Sequence, residues 1–245
     1  MAERNSAAVR AYLEASLPSA DTPWREADFT VIDLETTGLD PSSDEIISFA
    51  TVSVSGGKVS LADARYELVR PRRMPGPETI RIHGLRETDL DGAPPFSQVL
   101  DGLLKALTGR GIVAHVAAVE RSFLTAALAE HRLPLRNQAV DTAELAAELG
   151  THRRDPSLSA HPIGLSDLAQ ELGLPVHRPH HADGDALTTA QAFIALATHL
   201  DEIKPQTVGS LQKLGFRPGL LTRVRQRFRR TPAADGTAIR SSARP

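Results

Sequence analysis

The chain has 245 residues, 41% of them hydrophobic, a formal net charge of −2 and no cysteine. That length suits one ordinary domain with short extensions, and the apolar content excludes a wholly disordered chain. The lack of cysteine excludes disulfides and zinc–thiolate sites; the amino terminus has no long apolar run and no stretch nears the roughly 18 apolar residues of a membrane span, so a cytoplasmic protein without secretory leader or membrane contact is expected.

In chain order, "SAAVRAYLEASL" has the apolar spacing of an amphipathic helix and leads into a proline-containing connector, making residues 1–27 an N-terminal helical extension. "DFTVIDLE" reads as a buried strand, "EIISFATVSVSGGKVS" as a second strand ending in a Gly-Gly turn, and "ARYELVRP" as a third. Three strands with tight connections predict an antiparallel meander. "PPFSQVLDGLLKALTG" is a helix with a glycine stop, "GIVAHVA" a fourth strand, "ERSFLTAALAEHRL" a helix, and "NQAVDTAELAAELG" a short strand followed by a helix. Residues 151–162 read as a polar loop, "GLSDLAQELGLP" as a helix capped by Ser166, and "HADGDALTTAQAFIALATHLDEI" as a long last helix. The expected class is α/β: a mixed sheet, the meander followed by strands alternating with helices, with helices on its faces. Beyond residue 204 short helices are expected, then disorder from Thr231; residues 221–245 hold seven arginines against one acid, so this extension is basic and the rest of the chain acidic. Such a tail suits nucleic acid or an acidic partner, or is a solvated end.

The first strand is unusual. Asp33 and Glu35 stand two residues apart and therefore on one face of a strand whose start, "FTVI", is apolar. Like charges that close resist burial; a hard divalent cation is one relief, pairing with arginines or an exposed edge is another. A metal site would need more acids, and two further places qualify: Glu120, at the start of a helix just past a strand, and Asp185, in the first turns of the last helix with His180 five residues before it. Each alone reads as an acid favoured by a helix N-terminus.

Together, "DLETTGL", "IRIHGL", "VAHVAAVERSFL", "DTAEL" and "HHADGDALTTAQAF" resemble, in order, the motifs of the DnaQ-like exonucleases. This is the DEDDh group with a ribonuclease H-like fold, which includes the proofreading subunit of the bacterial replicative polymerase. The resemblance covers residues 28–200 and implies an exonuclease domain over 28–203. It implies Asp33, Glu35, Glu120 and Asp185 as ligands of two Mg²⁺ or Mn²⁺ ions, and His180, rather than its neighbour His181, as general base. It also implies Thr36, Thr37, Gly38, Leu39, His83 and His115 as the residues holding the 3′-terminal nucleotide. Gly38 is expected to let the backbone approach that nucleotide.

The chain departs from the family at two positions: Glu120 stands where aspartate is usual, and Val116 where asparagine follows the histidine. The implied reaction is metal-dependent 3′–5′ hydrolysis releasing nucleoside 5′-monophosphates from single-stranded ends, DNA being favoured over RNA. RNA trimming remains open, as does a weakly active or inactive interaction module on the same fold; a polymerase is a possible protein partner. With 4% aromatic residues, the chain has few stacking platforms, so a grip on only the last few nucleotides is expected.

Overall fold

The computed structural model describes residues 6–159 and 163–214. Its helices are α1 (Ala7–Glu14), α2 (Pro77–His83), α3 (Glu87–Leu90), α4 (Phe96–Leu107), α5 (Ala118–Glu130), α6 (Thr142–Arg153), α7 (Pro156–Ser159), α8 (Leu165–Glu171), α9 (Ala182–Ile203) and α10 (Val208–Leu214). Its strands are β1 (Phe29–Thr36), β2 (Ile46–Ser55), β3 (Lys58–Leu68), β4 (Gly111–Ala114) and β5 (Ala139–Asp141), in one sheet of order β3-β2-β1-β4-β5. The pairs β1–β2 and β2–β3 are antiparallel, β1–β4 and β4–β5 parallel. This is the mixed, helix-flanked sheet of the ribonuclease H-like class.

The alternation along β1 decides what each face holds. Phe29 and Val31 point into a cluster with Phe193, Leu196 and Ala197 of α9 and Leu145 and Leu149 of α6. Ile32 points the other way, into a cluster with Leu100, Leu103 and Leu104 of α4 and Phe123 and Leu124 of α5. Both layers are apolar and buried, so β1 is the central strand of a three-layer stack, and the period-2 rule carries Asp33 and Glu35 onto the α9 side.

Gly56 and Gly57 both have positive φ, 59° and 69°, as a two-residue turn matching the twist of its strands requires. Pairing therefore resumes at once, with Ser55 opposite Lys58, and β3 starts well before the predicted "ARYELVRP". The "IRIHGL" segment, given no element in the sequence reading, ends a helix, α2, closed by Gly84 at φ 75°. Two other details differ from that reading. The cap of α8 is Gly164, whose backbone is extended, while Ser166 lies inside the first turn. Residues 151–159 are not loop: α6 runs to Arg153, and α7 follows because Leu158 is buried and Pro156 suits a first helical position.

The extensions add to the same two layers. Ser6 caps α1, its hydroxyl accepting from Val9 N–H at 3.0 Å, and Ala8, Val9 and Tyr12 join the α4 layer. Trp24 packs edge-on to Phe193 in the α9 layer, with ring centroids 5.7 Å apart. Residues after α9 return to clasp this segment: Val208 N–H donates to Thr22 O at 2.9 Å and Gly209 N–H to Ala20 O at 2.8 Å. No helix among the described residues is long and apolar enough to cross a membrane. The basic segment 221–245, with the disorder expected from Thr231, lies outside the described residues.

Candidate active site

At the end of β1, Asp33 and Glu35 meet Asp185 from the first turns of α9. One carboxylate oxygen from each of the three lies within 4.8 Å of the others. Burial pushes the Asp33 carboxyl well above its usual range, and the charges of Glu120, Glu35 and Asp185 push it further. Glu35 rises from 4.5 to about 8, first through burial and then through Asp185. Asp185 is raised by burial; the His180 amide and the charges of His180 and His181 oppose this. All three charges are thus costly as they stand, and a hard cation is the group this donor set fits.

Glu120 is delivered by α5. It is 7% exposed, and its Oε2 is buried without a hydrogen-bond partner. Burial raises its carboxyl well above the normal range, with Asp141 and Glu35 adding to the effect. It stands beside the three-carboxylate group and outside its 4.8 Å limit. Asp141, an acid the sequence reading passed over inside "DTAEL", organises this corner. Its Oδ1 accepts from Val116 N–H and from Ala143 N–H, both at 3.0 Å, so one carboxylate caps α6 and ties the β4–α5 junction that carries Glu120. Burial lifts Asp141 to about 7 despite these donors. The only sequence signal was an acid closing a buried strand, which is equally the pattern of a helix cap.

Val116 has φ 61°. A β-branched side chain there is strained, whereas asparagine tolerates the left-handed region. Val116→Asn is therefore expected to raise stability by about 1 kcal/mol, read as a higher urea midpoint with an unchanged slope.

His180 sits on the exposed loop before α9, at φ 60°, its backbone N–H donating to Asp185 Oδ2 at 2.9 Å. His181 instead leans to Asp183, 3.7 Å away. His83, at the end of α2, is 4% exposed. Its Nδ1 accepts from Leu85 N–H at 3.0 Å, which places the proton on Nε2, a buried donor with no protein partner. Burial lowers its pKa, and the charge of His181 lowers it further, so α2 closes on the same site.

The residues after Glu35 form a tight loop. Thr36 Oγ1 donates to Gly38 O at 2.6 Å, and Thr37 exchanges backbone and side-chain bonds with Glu45 and Asp44. A side chain at Gly38 would collide with the Asp44 carboxylate, which fills the space beside this glycine. Leu39 is half-buried beside it. The His115 ring is held within the fold: its Nε2 donates to Ile163 O and its Nδ1 meets Thr142 Oγ1, both at 2.9 Å, so the ring tethers β4 to the start of α6.

The sequence reading also missed Tyr66. The register places Asp33, Ala50 and Tyr66 in one row across three strands, on one face. Tyr66 is 38% exposed, and its hydroxyl pKa is raised by burial first, with smaller contributions from the charges of Asp183 and Glu35. Nothing in the alternation of β3 distinguishes it.

A ribonuclease H-like sheet whose central strand carries two of three converging carboxylates, with a histidine on the adjoining loop, defines the DEDD class of nuclease. The chain belongs to the exonuclease family typified by RNase T, which matches residues 30–193. Among relatives, the DNA polymerase III subunit epsilon of Treponema pallidum is 31% identical over 173 residues, covering 70% of this chain and 77% of that protein. The PolC-type DNA polymerase III of Thermotoga maritima is 31% identical over 197 residues, 80% of this chain; the chain spans only 14% of that polymerase. Exonuclease X, solved with 5′-overhanging duplex DNA, superimposes with a TM-score of 0.60 at 23% identity, covering 77% of this chain and 99% of that one. Escherichia coli exonuclease I, solved with a dT13 oligonucleotide, gives 0.59 at 15% identity, covering 72% and 42%.

Proposed function

We propose that this exonuclease domain is divalent-metal-dependent and removes nucleoside 5′-monophosphates from the 3′ ends of single-stranded DNA. The observation that carries the reading is the convergence of Asp33, Glu35 and Asp185 beside the loop bearing His180. The three carboxylates, with Glu120, would hold two ions such as Mg²⁺ or Mn²⁺. The chemistry such ions supply is charge neutralisation at the phosphodiester and acidification of water.

The chain's own residues do the rest. His180 takes the proton of the attacking water, a task suited to an imidazole at neutral pH. The bond from its amide to Asp185 keeps this base in register with the carboxylates. His83 offers its free Nε2–H to the terminal nucleotide, and the loop from Thr36 to Leu39 lies alongside. DNA is favoured because a DNA polymerase III subunit epsilon is among the relatives and because exonuclease X and exonuclease I, which share the fold, were solved with DNA. The same relatives make a polymerase the first protein partner to test, the basic tail being its candidate contact.

The test is a degradation assay on matched 5′-labelled single-stranded DNA and RNA, with Mg²⁺, Mn²⁺ or EDTA, beside His180→Ala. The expected result is metal-dependent stepwise shortening from the 3′ end, faster on DNA, with turnover about a hundredfold lower in the variant. Faster cleavage of RNA would transfer the reading to RNA trimming. No cleavage by folded protein under any metal would leave a binding module, in line with glutamate standing at position 120.

A further inference from the structure

The loop that carries His180 is seated on the first two turns of α9 by contacts made by its neighbours. His177 N–H donates to Thr188 Oγ1 at 3.0 Å, and that hydroxyl donates to Gly184 O at 2.9 Å. Both Thr188 and Gly184 are buried. At the third residue of α9, a Cβ on Gly184 would overlap the His177 carbonyl oxygen and lie 2.7 Å from that of Arg178 and 2.8 Å from the Arg178 Cβ. These are backbone atoms or atoms next to the backbone, so a side chain there moves the loop. Glycine weakens a helix by about 1 kcal/mol relative to alanine, and here it stands where the loop backbone needs the room.

The loop is also strained. Arg178, which precedes a proline, has φ 34°, and His180 has φ 60°. Such conformations persist when the surroundings over-determine them. Here the determinants are the two bonds of Thr188, the Arg178–Asp183 ion pair at 2.8 Å, the His181 N–H to Arg178 O bond at 3.2 Å, and the space at Gly184.

We infer that Gly184 and Thr188 are positioning residues for His180: together they hold the 177–181 loop against α9, so that the imidazole is presented to the site already oriented. This rests on the reading of His180 as the base. Neither residue is one of the converging carboxylates, so their effect is expected on turnover before metal binding.

The test compares Gly184→Ala and Thr188→Val in the full chain, each alone and combined with His180→Ala. The readouts are kcat and KM on a single-stranded DNA oligonucleotide and the rise in Tm produced by Mn²⁺. Expected is a tenfold or greater fall in kcat for Gly184→Ala and a several-fold fall for Thr188→Val, with KM and the Mn²⁺-induced rise close to those of the unaltered chain. On the His180→Ala background neither change should lower kcat further, because residues that act through one group are not additive. Equal fold-losses on both backgrounds, or undiminished kcat in both single variants, would overturn the inference. Should Gly184→Ala fail to fold, the near-isosteric Thr188→Val carries the same comparison. Undiminished turnover in His180→Ala would instead remove the base reading itself, a result distinct from any given by the loop variants.

Discussion

Asp33→Asn is expected to remove exonuclease activity and, at the same time, to stabilise the metal-free protein. The first effect follows from the donor set: Asp33 is one of three carboxylates that converge within 4.8 Å, and an amide is a poor ligand for a hard cation. Charge stabilisation of several kcal/mol at the phosphodiester depends on that site, and each 1.36 kcal/mol is tenfold in rate, so a loss of about a thousandfold is expected. The second effect follows from the absence of compensation. Asp33 is half-buried, desolvated beside Glu120, Glu35 and Asp185, all of its own sign, so its ionised form is costly in the folded metal-free state. A neutral amide of the same shape avoids that cost. At pH 8 in EDTA the unfolding midpoint should rise by about 5 °C or more, as a gain of roughly 2 kcal/mol gives in a domain of this size. Full activity in the variant would remove Asp33 from the chemistry. Lost activity with a lowered midpoint would show that the carboxylate also supports the fold, contrary to the argument from burial.

The opposed effects bear on how much of this site was legible in the sequence. Asp33 and Glu35 were readable because the alternation that buries Phe29 and Val31 against α9 continues without a break into two acids. A core strand does not carry charge on its buried side without a use for it. Asp185 and His180 were readable only as a spacing matched to a family, since an acid in the first turn of a helix is ordinary. The parallel half of the sheet, β4 and β5, followed from strands alternating with helices.

What escaped depends on three-dimensional neighbours. Asp141 looks like any helix cap until its second acceptance, from Val116 N–H, ties it to the junction that carries Glu120. His115 belongs to a familiar motif, yet which atoms its ring meets depends on where Ile163 and Thr142 come to lie. Gly38 is a loop glycine in the sequence; that Asp44 fills the space beside it is a fact of the folded loop. Tyr66 reaches the site only because register aligns three strands with Ala50 between. Helix α7 was missed because its four residues offer too short a window for periodicity, and its one buried anchor, Leu158, stands among polar neighbours.

Glu35 makes the same electrostatic cost measurable as a function of pH. Its carboxyl has an ordinary value of 4.5, as in the unfolded chain, and rises to about 8 in the fold, by burial first and then by the charge of Asp185. The folded state therefore holds a proton that the unfolded state has released. Stability from this source is complete below pH 4.5 and is lost as pH climbs through 8. A shift of that size is worth at most about 5 kcal/mol. In EDTA, urea midpoints should thus fall between pH 5 and pH 8, and Glu35→Gln should flatten that slope. Saturating Mg²⁺ should flatten it as well, because a ligand bound only by the folded state favours the ionised carboxylates and restores stability by mass action. The contrast assigns the slope. A fall that Mg²⁺ leaves unchanged but Glu35→Gln removes would mean that Glu35 is buried without binding metal. A fall that survives both would belong to other groups, with Asp141, lifted to about 7 beside the Glu120 junction, the next to replace. Only removal by both treatments ties the strain of the metal-free site to the ion that relieves it.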